Sequence, residues 1–309
     1  MLQWILRAVV SAAVVVVLVT VASTEGLRDA FSRVRPSVWL ASLAVFLTGH
    51  ALNAWKYQRL LHDPHASLPL CLRAHFAGLV ANLGLPGVAG GDVVRATYLL
   101  PHGVSPKAAT IASIVDRLID TLTLLGLVAA GVIVAGVPPA LDTTAIGVRW
   151  PLAAAAGVAL CGVAAFLLLR RRRGGGAGLA GDLVAEVRTH GGAIAAAFGV
   201  TALVQSAFVL SNMWMAGALG LAVGIAPWFI AWPLSKLVAV LPISLGGIGV
   251  REAALVSLLA PYGAPSSIVF ASGLLWQGVL IASGLLGLAV GAALGPAARP
   301  ATSTPVPRS

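Results

Sequence analysis

The chain has 309 residues, 59% of them hydrophobic and only 10% charged, with a mean hydropathy of +0.95. A soluble domain carries about 25% charged residues, so a water-facing globular surface is excluded. The 20 Lys and Arg against 10 Asp and Glu leave a net charge of +10. These basic residues lie between apolar runs, without a nucleic-acid-binding module or an aromatic-basic stripe, so they read as orientation signals and headgroup contacts.

Apolar runs occupy 2–22, 38–57, 108–137, 151–169, 193–219 and 267–294. Each approaches the roughly 20 residues that a spanning helix needs. The first also resembles a signal peptide, but its length and the poor cleavage site at Val21-Ala22-Ser23 favour a retained helix. Segments 73–100 and 227–260 are apolar too, but Pro and Gly break each into pieces too short to span alone. Small residues at four-residue spacing (Ser283, Gly287 and Gly291; Ala216 and Gly220) predict close helix packing. Residues 296–309, rich in Pro, Ser and Thr, predict a disordered tail. Cys71 and Cys161 belong to no CxxC and read as apolar fillers, while His62 and His65 beside Asp63-Pro64 read as a solvated loop, with a lone metal pair as the alternative.

The arginine run at 170–173 is the strongest orientation signal and predicts a cytoplasmic loop. Lys56, Arg59 and Arg73 put a second loop on that side, with Lys107 beside them. The chain then leaves the cytoplasm near Arg73 and returns by Lys107, so 73–100 reads as a re-entrant hairpin. The same logic gives a second hairpin over 227–260, entered from outside, and places both termini in the cytoplasm. Arg28, Arg33 and Arg35 fall in an external loop, partly offset by Glu25 and Asp29.

The two broken segments share a pattern. Leu85-Pro86-Gly87-Val88-Ala89-Gly90-Gly91-Asp92-Val93-Val94-Arg95 and Leu241-Pro242-Ile243-Ser244-Leu245-Gly246-Gly247-Ile248-Gly249-Val250-Arg251 both read L-P-x-x-x-G-G-x-x-x-R, offset by 242 − 86 = 156 residues. Each half, 1–140 and 148–295, holds two spans, a broken hairpin and one more span. Three crossings per half invert the second half relative to the first, an architecture of transporters with a midplane site. The expected fold is therefore an all-α polytopic membrane protein, a single membrane domain of about six transmembrane helices and two re-entrant hairpins in an inverted repeat.

Pro86 and Pro242 are expected to end the incoming half-helices, and the paired glycines Gly90-Gly91 and Gly246-Gly247 to turn the chain. The following half-helices begin near Asp92 and Val250, with Arg95 and Arg251 in their first one or two turns. A helix N-terminus and an Arg fork both attract phosphate. Asp116, Arg117 and Asp120 interrupt the apolar run at 108–137. A charge at mid-membrane costs about 2.5–3.5 kcal/mol unless paired or hydrated. Arg117 and Asp120 have the i,i+3 spacing of a pair, while Asp116 is free to reach Arg95 or Arg251. Glu252 and Lys236 are further candidates, and Asn82 is placed to hold a loop. No P-loop, HExxH, aspartate-rich diphosphate motif or G-x-S-x-G occurs, and no cofactor or metal is expected.

With Asn82-Leu83-Gly84-Leu85-Pro86-Gly87, Gly90-Gly91-Asp92 and Arg95, with Asp116-Arg117 and Asp120, and with the stretch from Pro242 to Arg251-Glu252, the chain resembles the flippase-like family that includes the membrane portion of lysylphosphatidylglycerol synthases. The resemblance runs from about 40 to 290. It implies translocation of an anionic, aminoacylated or polyprenyl-linked lipid between leaflets of the cell membrane, with Asn82, Pro86, Gly90, Gly91, Asp92, Arg95, Asp116, Arg117, Asp120, Pro242, Gly246, Gly247, Arg251 and Glu252 around the substrate. The 309 residues hold no counterpart of the soluble aminoacyl-transferase domain, so the resemblance implies no synthase activity and the expectation is a non-enzyme. Two alternatives stand beside a transporter: a membrane-embedded transferase on a polyprenyl-phosphate lipid, and a scaffold for envelope-lipid biosynthetic enzymes.

Overall fold

The computed structural model describes residue 16 and residues 24–84, 89–135, 178–240, 247 and 249–293. Among the described residues every regular element is helical. The helices are α1 (Thr24–Ser32), α2 (Pro36–Leu61), α3 (Leu68–Gly84), α4 (Ala89–Leu99), α5 (Pro106–Ala135), α6 (Leu179–Thr189), α7 (Gly191–Ala218), α8 (Ile225–Ala239), α9 (Val250–Leu259) and α10 (Ser266–Ala293). Helices α2, α5, α7 and α10 are long and apolar enough to cross a membrane. Apart from residue 16, the expected spans at 2–22 and 151–169, the arginine run and the tail lie outside the described residues. Large apolar side chains such as Ile133 (83% exposed) and Leu203 (64%) point outward from the spans. Hydrocarbon accommodates such a surface where water does not. The chain is an all-α polytopic membrane protein.

Local chemistry sets the element ends. Pro36 opens α2 behind an extended Arg35, using a position where a missing N–H costs nothing. α4 runs into the 3-10 turn Leu100–His102 and stops at Gly103, with φ at 89°. α9 runs into the turn Ala260–Tyr262 and stops at Gly263, with φ at 73°. In both turns a proline ends the donor ladder and a glycine takes the left-handed cap. Two short helices, α1 and α6, were not expected; Arg33 pairs with Asp29 along α1 at 2.6 Å, which balances part of that basic segment.

α3 and α4 form a hairpin whose ends lie together. The Asp63 carboxylate, ahead of α3, accepts the backbone N–H of Ser105, beyond α4, at 2.9 Å. At 1.5 Å per residue, 17 and 11 residues rise about 25 and 16 Å, short of the roughly 30 Å hydrocarbon core. The chain therefore enters and returns at one end, as parity required. Lys107 reaches Asp182 of α6 at that same end, at 2.8 Å.

Among the described residues the halves match element for element, with a change of register at the break. α2 corresponds to α7 and α3 to α8 at an offset near 156 residues, but the turns after the hairpins stand 260 − 100 = 160 apart, as do the starts of α5 and α10. The second half therefore carries about four more residues between the start of its hairpin and the turn that ends it. The gapless motif crosses this shift, so its glycines do not share a role. Gly247, with φ at 78°, is a turn residue as expected. Gly90 and Gly91 instead lie inside the first turn of α4. Pro86, Pro242 and Gly246 lie outside the described residues.

Packing interlocks the halves. The first hairpin lies against α10, where Gly287 makes room for the ring of Phe76. The second lies against α5, where Gly131 receives Ile230. Between them runs an aromatic core in which Phe46 stacks on Phe208 at 4.8 Å and Trp232 meets Trp276 edge-on at 4.9 Å.

Gly91 is the tightest point of the first hairpin. A Cβ there would stand 2.3 Å from the Gly78 carbonyl oxygen and 2.4 Å from Asn82 Oδ1, which already accepts the Gly91 N–H at 2.8 Å. The obstacle is backbone, so it cannot rotate away. Gly91→Ala should destabilise the protein by about 3 kcal/mol, the upper end of what overpacking costs. Gly199→Ala, where nothing lies within 4 Å, should stabilise α7 by up to about 1 kcal/mol. Thermal unfolding in mild detergent compares them, and equal melting temperatures would dismiss the close hairpin contact.

Candidate functional site

A charged network lies inside the bundle where α2, α4, α5 and α7 meet. Lys56, near the end of α2, is 2% exposed. Its Nζ lies 2.7 Å from Asp116 Oδ1 and donates to Asp120 Oδ1 at 2.8 Å and Thr201 Oγ1 at 2.9 Å. The Asp116 contact is off the hydrogen-bonding direction and acts as a charge contact. Asp116 Oδ2 accepts from Arg95 Nη2 at 2.8 Å. The Arg95 guanidinium also lies 3.7 Å above the Tyr57 ring, a cation–π contact, and Tyr57 is fixed by Ser113 at 2.8 Å. Asp92 on α4 pairs with Arg117 on α5 and stands 3.6 Å from Arg95. Three cations thus meet three carboxylates, and each charge lost to hydrocarbon is offset by an opposite one.

Arg251 and Glu252 form a second pair at the start of α9. Glu252 also accepts the Gly249 N–H at 2.8 Å, closing the helix N-terminus, and Arg251 donates to Gln277 Oε1 at 3.2 Å. Gly273 of α10 leaves room for the Glu252 side chain, since a Cβ there would stand 2.7 Å from its Cγ. Lys236, partly buried on α8, donates to Gln205 Oε1 at 2.9 Å. No described carboxylate lies within ion-pair distance of Lys236, which sets it apart from Lys56, Arg95, Arg117 and Arg251.

Two expectations are corrected by this geometry. Arg117 does not pair with Asp120 across i,i+3: Asp92 takes Arg117 and Lys56 takes Asp120. Lys56 is not a loop residue, because α2 continues to Leu61 and carries it into the core. Asp116 does reach Arg95, one of its two expected partners. Arg95 and Arg251 have separate partners and do not converge on one atom. Asn82 ties α3 to α4 through Gly91.

Sequence reasoning missed Lys56, Thr201, Gln205 and Gln277. The three neutral residues were visible as polar interruptions of apolar runs, but only contact with Lys56, Lys236 and Arg251 gives them a role. Also unforeseen is the His50–His75 pair at 2.8 Å, joining α2 to α3 inside the bundle. The charge is lopsided between the halves. At the 160-residue register Trp276, Gln277 and Leu280 of α10 stand where α5 has Asp116, Arg117 and Asp120.

Long apolar helices, a re-entrant hairpin and an embedded ionic network define a multi-pass membrane protein. Residues 4–287 match the family described as the lysylphosphatidylglycerol synthase TM region. The chain belongs to that family. No curated protein matches it.

Proposed function

We propose that the protein is a lipid transporter of flippase type, not an enzyme, that carries a phosphate-bearing lipid headgroup between leaflets of the cell membrane, with both termini cytoplasmic. The observation that carries this reading is Lys236: it donates to the neutral Gln205 with no described carboxylate at ion-pair distance, while Lys56, Arg95, Arg117 and Arg251 are matched by carboxylates. A lone cation costs about 2.5–3.5 kcal/mol at mid-membrane, a cost that an anionic headgroup removes on arrival. Arg251, at the start of α9, adds donors on the same hairpin. The paired network of the first half holds α4 against α5, so the second hairpin is the element that receives the headgroup. Membership of the family and the match of elements between the halves support a transporter.

Proteoliposomes containing the purified protein and fluorescent lipids that differ only in headgroup provide the test. Phosphate-bearing lipid should cross faster than a neutral lipid of equal chain length. Equal rates for the two, both above protein-free vesicles, would remove the phosphate site and leave an unselective scramblase.

A further inference from the structure

Where the loop after α2 meets α6 and α7, three side chains outside the charged core come together. His62 caps α2 in the left-handed region at φ 45° and ψ 37°, and among the described residues it is the one non-glycine with positive φ. Glu186 lies on α6, and His190 is the junction between α6 and α7. Glu186 Oε1 stands 3.0 Å from Nδ1 of His62 and 3.0 Å from Nδ1 of His190. The two imidazoles stack with centroids 3.6 Å apart.

Hydrogen bonding does not account for this grouping. Glu186 Oε1 and His190 Nδ1 are buried, and neither makes a hydrogen bond, because the 3.0 Å contact between them is too bent to be one. Neighbouring polar groups are engaged elsewhere. Asp63 accepts the backbone N–H groups of His65 and Ser105, and Asp182 accepts from Lys107. Buried polar atoms left this way need a partner, and an ion bound between them supplies it.

We propose that His62, Glu186 and His190 bind one divalent transition-metal ion of the zinc class. Two imidazole nitrogens with one carboxylate oxygen suit zinc and its neighbours better than calcium or magnesium, which select oxygen. The ligand atoms lie within 4.8 Å of one another. Metal bonds of about 2.0–2.2 Å set tetrahedral ligands about 3.3 Å apart, so small movements complete the site. The rings must rotate out of their stack to aim their lone pairs at one ion. Side-chain exposures of 30% for His62 and 34% for His190 leave room for that rotation and for a water as fourth ligand. Such an ion fastens the end of α2, in the first half, to α6 and the start of α7, in the second.

The full-length protein in detergent, stripped with a chelator and then titrated with Co²⁺ or Zn²⁺, tests the site. One equivalent of Co²⁺ should give the visible absorption of a four-coordinate ion, Zn²⁺ should displace it, and Zn²⁺ should raise the melting temperature. His62→Ala and the isosteric Glu186→Gln should each weaken binding at least about tenfold, since even an outer partner of a metal ligand is worth that much. Glu186→Gln preserves side-chain volume, so it reports on binding even if a change at His190 disrupts the helix junction. His65→Ala and His102→Ala should bind as wild type. Failure of the wild type to take up metal, or unchanged binding in Glu186→Gln and His62→Ala, overturns the proposal.

Discussion

Replacing Asp116 by alanine should lower stability by about 3–5 kcal/mol, the cost of removing one partner from a buried ion pair. Asp116 touches Lys56 with one oxygen and Arg95 with the other, and all three are under 10% exposed. Without it, Lys56 keeps Asp120, but Arg95 is left with Asp92 at 3.6 Å and the Tyr57 ring. The loss therefore falls mainly on Arg95 and on the docking of α4 against α5. Asp120, whose side chain is 28% exposed, should matter less, because solvent or headgroups reach it. A double-mutant cycle separates these contributions: Asp116→Asn combined with Arg95→Gln should cost clearly less than the sum of the singles. Unfolding in mild detergent, followed by tryptophan fluorescence, measures each variant. Additive effects at Asp116 and Arg95 would mean that the pair is not coupled.

That network shows where sequence reading succeeds and where it stops. Hydropathy located the long helices to within a few residues, and the parity of basic loops predicted the re-entrant hairpin before any contact was known. Both depend on local composition and the thickness of a bilayer. Pairing of charges does not. The i,i+3 spacing of Arg117 and Asp120 permits a pair, yet Asp92, 25 residues earlier, wins Arg117 because α4 packs beside α5. Lys56 looked like part of a basic loop because Arg59 follows it. Its partners Asp116 and Asp120 lie some sixty residues downstream, beyond any local window.

The glycine motif was misread for a related physical reason. A Gly-Gly pair serves equally to turn a chain or to let two helices touch, and its spacing is the same in both uses. Only the four-residue change of register at the break, with the close contacts of Gly91 and the positive φ of Gly247, shows that Gly91 is a packing residue while Gly247 is a turn residue. α1 and α6 escaped notice because each is about three turns long and polar on one side, too short for a span search. The lopsidedness of charge between halves was legible in principle. Aligning the halves at the second register places Gln277 against Arg117, and a neutral side chain there argues that the second hairpin has a different task.

Lys236→Gln should separate that task from folding. The substitution removes a charge that no described carboxylate pairs and keeps a side chain able to hydrogen-bond Gln205, so the cost of burying that cation disappears. Stability should hold or rise. Transport of a phosphate-bearing lipid should fall at least about tenfold, equivalent to roughly 1.4 kcal/mol of lost binding, while movement of a neutral lipid stays the same. Stability gained with function lost is the signature of a residue kept for its ligand rather than for the fold. Lys236→Arg, which preserves the charge, should retain a larger share of the rate than Lys236→Gln does. Gln205→Leu should do the opposite of Lys236→Gln, destabilising the protein because the ammonium loses its acceptor. Transport rates in proteoliposomes, normalised to reconstituted protein, and melting temperatures in the same detergent supply both readouts. Normal phosphate-lipid transport in Lys236→Gln would show that the headgroup does not meet this cation.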